Sequence, residues 1–305
     1  MKLTGSTELV YLLAIAPAVF WGVSSVLSKR GLARGGGTHQ ATLVVIGLDA
    51  LIYWGILLVR RGMGAFSGLS VITIGVFLVA GALGTAMGRL FVFKGIDRVG
   101  ASINSAVIST RPLFAALLAA GFLSESVTPS IAVGIVVLVV GLTVLALGQG
   151  GDVEGWNAYE MLFPLAAASC FAVGNVLRRF GLQSSSMTVF EALTANATAA
   201  VLVLIAYTTV SNSWESLHAP AESYRYFVAS AVLTALSVLA LFTALSLPNG
   251  QVAIVDSLAA TSPLFTVAFS SVFLRDLEQV TRGIIVGAFI VVVGVVFITS
   301  GPLLL

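Results

Sequence analysis

AVFWGVSSVLSKRGL at residues 18–32 and ASCFAVGNVLRRFGL at residues 168–182 are one apolar segment written twice. Each copy holds small and polar residues at its middle, with Ser25 and Asn175 at matching places, and ends in a basic pair, Lys29-Arg30 or Arg178-Arg179. Further on, RPLF at 111–114 is answered by SPLF at 262–265, and an acid follows each phenylalanine eleven positions later, Glu125 and Asp276. Gly134 and Gly141 then correspond to Gly287 and Gly294. The chain repeats after about 150 residues, and that period decides the architecture before any single motif does.

Each copy is built from segments of membrane length. A helix rises ~1.5 Å per residue, so crossing a hydrocarbon core of ~30 Å takes about 20 apolar residues. Ten stretches meet that length: 9–28, 41–59, 69–88, 99–122 and 128–148, then 158–177, 190–210, 226–247, 251–273 and 283–302. The uncharged run 226–255 is too long for one span and is divided at Pro248-Asn249-Gly250, where proline lacks an N–H and Asn-Gly favours a turn. Of 305 residues, 58% are hydrophobic and 9% charged, against about 25% charged in a soluble domain, and the mean hydropathy is +1.06. That balance excludes a soluble enzyme, a disordered chain and a nucleic-acid binder. A single cysteine, Cys170, leaves no disulfide within the chain and no cysteine-based metal cluster.

Five spans per copy is an odd number, so the second copy enters the membrane from the opposite side. The expected fold is an all-α integral membrane protein of ten helices, two inverted five-helix repeats (1–151 and 152–305) around a central cavity. Inverted repeats are a recurrent plan for secondary transporters, since two similar halves can rock about a shared site. A duplicated structural bundle or a channel-like pore would use the same repeats.

With these paired motifs the chain resembles the EamA-repeat branch of the drug/metabolite transporter superfamily, and within it the bacterial amino-acid exporters of the YddG type. The resemblance covers nearly the whole chain. It implies a multi-pass protein of the bacterial inner (cytoplasmic) membrane that exports amino acids, aromatic ones among them, or related small metabolites by alternating access. It also implies that spans one, three, four, six, eight and nine enclose the cavity. Arg111 departs from the pattern, because many relatives carry a small residue before the proline, as Ser262 does here.

Several residues are candidates for that cavity. Pro112 and Pro263 each remove a backbone hydrogen bond inside a span and are expected to kink it, as gates or hinges, although membrane helices also tolerate proline without function. Ionisable groups cost roughly 2.5–3.5 kcal/mol at the bilayer centre on insertion scales and mark sites by default. These are Asp49 in span two, Arg111 in span four and Asp256 in span nine, with Arg89 and Glu191 nearer span ends. Asp256 lies two helical turns before Pro263 and shares its face. The expectation is that Arg111 or Arg89 sits beside Asp256 and faces the cavity, where a zwitterion would meet both signs. The competing reading is an ion pair that ties helices together and never meets substrate.

Polar residues supply the rest of the expected lining: Ser24, Ser25 and Asn175 on spans one and six, Asn104, Ser105 and Ser109 on span four, Ser237 and Thr243 on span eight, and Ser257 on span nine. Each serine or threonine can instead bond its own helix. Trp21 is the candidate aromatic selector, while Trp54, Trp156 and Trp214 read as interfacial anchors. Spans five and ten, rich in Val and Gly, read as structural, and a homodimer contact is expected there if one forms.

No phosphate-binding G-x-x-x-x-G-K-[ST] loop occurs, so facilitated diffusion or proton-coupled exchange is expected rather than ATP-driven pumping. No paired acid, nucleophile–base pair or metal-ligand cluster is evident, and His39 and His218 fall at loop positions. No enzyme activity, cofactor or metal is therefore expected; the partners are a small-molecule substrate and the lipid bilayer. Charge counting and resemblance disagree on orientation. Five basic residues fall on the face of the termini and eight on the other, which by the positive-inside rule puts the termini outside. The resemblance implies cytoplasmic termini.

Overall fold

A computed structural model describes residues 2–148, 157–214, 220–273 and 281–300. Trp156, His218 and Asp276 lie outside the described residues. Among the described residues ten helices are long and apolar enough to cross a membrane: Thr7–Ala33, Thr38–Arg61, Val71–Val99, Ile103–Leu123, Pro129–Leu147, Ala158–Ser184, Val189–Val210, Ala221–Ser246, Val252–Phe273 and Arg282–Ser300. Each overlaps one stretch read from the sequence.

Local chemistry sets where these helices begin. At span seven the Thr188 hydroxyl accepts from the Glu191 N–H, and the Glu191 carboxylate accepts from the Thr188 N–H at 2.7 Å, closing a capping box. Thr128 caps span five ahead of Pro129, a residue suited to the first helical turn. Span three runs to Val99, well past the expected end, with a π-helical turn at Ala82–Met87. Arg89 is therefore interior to its span and not near an end. Span six likewise runs on to Ser184, which takes Arg178 and Arg179 off the loop and buries them. His39 is also corrected: it stands in the first turn of span two and its ring bonds the Thr208 hydroxyl.

The spans that carry Pro112 and Pro263 are broken, not merely kinked. Span four divides into half-helices Ala101–Ile108 and Arg111–Leu123, and span nine into Val252–Ala259 and Ser262–Phe273. The turns between them share two backbone bonds. Thr110 N–H donates to the Val107 carbonyl and Thr261 N–H to Leu258; Leu113 N–H donates to Thr110 and Leu264 N–H to Thr261, the last two both at 2.9 Å. Proline has no N–H for the interrupted ladder, so each second half-helix starts afresh around it.

Packing exchanges the copies symmetrically. Span one packs on span eight and span six on span three; span two packs on span seven, and span five on span ten. Gly84 and Gly174 let spans three and six cross with backbones touching, since a Cβ on either would lie 2.6 Å from the other's Cα. Gly141 and Gly287 do the same for spans five and ten, against Val291 and Leu145. These glycines of spans five and ten thus serve packing within one chain. The outer faces of these two spans, Val136, Val140, Phe289 and Val292 among them, are exposed and apolar, as a lipid-facing surface requires.

Candidate functional site

Between the two repeats lies a cavity of about 590 Å³, walled by spans one, two, three, four, six, eight and nine. Span two, through Ala41, Thr42 and Val45, adds to the six spans the resemblance implied. The lining reaches Leu32, Thr38 and Ile96, at the face away from the termini. Both half-helix breaks touch it, through Ser109, Arg111, Ala260 and Pro263.

Nine of the expected substrate-facing residues line this space: Trp21, Ser24, Ser25, Arg89, Asn104, Ser105, Ser109, Arg111 and Asn175. Four do not. Ser237, Thr243 and Ser257 each turn the hydroxyl back to the carbonyl one helical turn earlier, to Leu233, Leu239 and Ala253, inside packed helix. Asp256 is withdrawn behind the wall at 0% exposure. Of the two prolines, Pro263 lines the cavity and Pro112 is buried behind it.

The withdrawn carboxylate organises the wall. One Asp256 oxygen accepts from Arg111 Nε at 3.0 Å and the other from the Asn175 amide; Arg111 Nη2 also reaches the Asp256 carbonyl at 3.4 Å. Of the two arginines expected beside Asp256, Arg111 pairs with it and joins the two broken helices, although Asp256 itself does not face the cavity. Asn175 Oδ1 accepts from Arg178 Nη1 at 2.6 Å, Arg178 Nε donates to Asn196 Oδ1 at 3.1 Å, and Arg178 Nη2 donates to the Thr85 hydroxyl at 2.7 Å. Phe171 lies under Arg111 and Phe242 under Arg178, ring centroids 5.9 and 5.3 Å from the guanidinium carbons, a favourable placement for a desolvated cation. Arg89 stands apart from this group, with Asp49 as the acid whose charge it feels.

Sequence reasoning missed Arg178, Thr85 and Asn196 as members of the site. Asn175 and Arg178, three apart on span six, were the available signal, because residues at that spacing share a helix face.

On the face of the termini, spans six, eight and nine and the loop after span four are tied together. Arg179, its side chain 3% exposed, donates to the carbonyls of Leu245, Leu247 and Pro248 at 2.5–2.9 Å, and its Nε lies 3.5 Å from Glu125. Glu125 Oε2 accepts from the Val252 N–H at 2.8 Å, at the start of the broken span nine. Glu125 belongs to the loop after span four. Burial pushes its carboxyl above the ordinary glutamate range, against the pull of Arg179 and of the Val252 and Ala253 N–H groups.

Comparison with known proteins gives a consistent picture. The EamA-like transporter family matches residues 8–147 and again 158–300. An uncharacterized transporter, YvbV, of Bacillus subtilis is 26% identical over 98% of this chain and 94% of its own length. An uncharacterized transporter of Clostridium kluyveri is 32% identical over 45% of this chain, a match spanning 44% of that relative's length. A chloroplastic WAT1-related protein of Arabidopsis thaliana is 28% identical over 57% of this chain and 42% of its own. One solved crystal structure superposes with a TM-score of 0.77 at 14% identity, covering 95% of this chain and 96% of the other, a likeness of fold alone.

Proposed function

The chain belongs to the EamA-like transporter family, and from that premise we propose that it is a secondary transporter that exports small carboxylate-bearing metabolites, the class to which amino acids belong, by alternating access. The repeats 1–151 and 152–305 are the two moving halves, and a single chain is the working unit because it builds the cavity alone. Pro112 and Pro263 are the hinges, and the membrane crossed is the bacterial inner (cytoplasmic) membrane, with both termini cytoplasmic. The arrangement described here then faces outward.

The observation that carries this reading is the pair of matched breaks flanking one polar cavity. A helix broken at mid-membrane leaves backbone groups without their ladder partners, and such breaks are tolerated where they line a cavity. Trp21, Phe93 and Phe171 in the lining give an aromatic or other apolar body a surface to pack on. Counterflow in proteoliposomes tests it. Unlabelled substrate on the far side accelerates labelled entry through a carrier; an open pore shows no such acceleration, and that result would replace the carrier with a pore.

A further inference from the structure

Resting on that transport reading, we infer that the cavity selects a net anion: an organic acid with an apolar body whose carboxylate is not balanced by an ammonium group. The charge on the wall is one-sided. Among the described residues Arg89, Arg111 and Arg178 line the cavity, and no Asp or Glu does. The two acids of the membrane interior are held back. Asp256 is fully buried with both carboxylate oxygens engaged, by Arg111 and Asn175, and Asp49, 6% exposed, lies outside the lining.

Arg178 is the most telling member. It is 5% exposed, and its three side-chain hydrogen-bond partners, Asn175, Asn196 and Thr85, are all neutral. Among the described residues neither Arg178 nor Arg89 has a carboxylate within ion-pair distance. A guanidinium kept charged in a membrane interior without a contacting counter-ion is costly. A carboxylate entering the cavity supplies that counter-ion in a geometry to which guanidinium is suited.

An ammonium group finds nothing comparable. The buried amide oxygen of Asn104 has no hydrogen-bond partner, but it lies pressed against Gly95, where a Cβ would meet it, rather than beside a negative charge. The remaining acceptors on the wall are hydroxyls, and several are already engaged with one another: Ser24 bonds Ser230 at 2.7 Å and Thr234 at 3.0 Å, and Ser28 bonds Ser230 at 2.8 Å. A zwitterion therefore loses the hydration of its cationic end without an ionic replacement, while the anion gains at both ends, carboxylate on arginine and body on Trp21 and Phe171.

Three solutes that share a phenyl body on a two-carbon stem test this: 3-phenylpropionate, its amino counterpart phenylalanine, and 2-phenylethylamine, which lacks the carboxylate. Binding to the purified full chain is read from the rise in unfolding temperature, and transport separately by counterflow at pH 7.5. The expected result is a dissociation constant for 3-phenylpropionate about tenfold or more below that for phenylalanine, with no stabilisation by the amine. Arg89→Gln, and Arg178→Gln where it folds, then weaken the acid's binding by a similar factor. Stabilisation by phenylalanine or the amine equal to that by the acid, or by none of the three, overturns the inference. Stabilisation by the acid without counterflow instead defeats the transport reading and leaves the anion site standing.

Discussion

The hydroxyls of Thr110 and Thr261 make the same bond in opposite halves of the molecule: each donates to the carbonyl three residues earlier, at 2.6 Å to Val107 and 2.7 Å to Leu258. Each sits two residues before the proline that restarts its span. The two breaks are thus one device used twice, and the repeat is preserved at the level of single hydrogen bonds.

Pro112→Ala and Pro263→Ala each return a backbone N–H to the broken ladder and favour a continuous helix. Counterflow is expected to fall about tenfold in each variant at equal protein amount, because the hinge role is shared. A full rate in either variant separates that proline from the transport cycle.

Asp256→Asn removes the charge that Arg111 contacts and leaves the guanidinium uncompensated. Breaking a buried pair in this way costs about 3–5 kcal/mol, so the unfolding temperature should drop, and a second change, Arg111→Gln, should recover part of it. Since Asp256 does not line the cavity, binding of 3-phenylpropionate to the folded Asp256→Asn protein should persist. Loss of binding with the fold intact would put the carboxylate in contact with the solute.

Glu125 gives a pH signature. Its carboxyl titrates above the ordinary glutamate range in the folded protein, so the fold favours the protonated form and penalises the charged one. Glu125→Gln mimics the protonated form. It should therefore melt higher than the parent at pH 7.5, and the difference should shrink as pH falls through the raised pKa of Glu125. Melting curves at pH 7.5 and 5 check the sign; a gap that widens on acidification contradicts it.

Gly174→Ala places a Cβ 2.6 Å from the Cα of Gly84 and against backbone that has no room to yield. Overpacking of this kind costs about 1–3 kcal/mol, and because spans three and six carry Thr85, Asn175 and Arg178, the wall should distort with it. A lowered unfolding temperature together with weaker acid binding is expected, whereas Gly121→Ala, with open space around it, should change neither.

The ten spans, the duplication and both prolines were legible because membrane thickness and a repeat act on sequence directly. The Arg111–Asp256 pair was legible for a related reason: charges in an apolar span are few enough to be matched by inspection. The rest depended on direction. Ser105 and Ser257 are both small hydroxyls in broken spans, yet one faces the cavity and the other bonds its own helix. Arg178 looked like the flank of a span because helix ends are read from charge, and a helix that continues past a buried arginine defeats that rule. The orientation count suffered in the same way, since Arg178 and Arg179 were counted with the loops.

If one cavity is reached alternately from the two faces of the membrane, holding one face shut must stop transport. Thr7 on span one and Asn249 on the second repeat approach within 3.2 Å on the closed face. In a chain with Cys170→Ala, the substitutions Thr7→Cys and Asn249→Cys allow a disulfide that holds that face shut, and counterflow is measured before oxidation, after it and after reduction. The bridge is expected to stop counterflow, to leave 3-phenylpropionate binding in place, and to release transport again when reduced. Undiminished counterflow with the bridge fully formed would contradict alternating access.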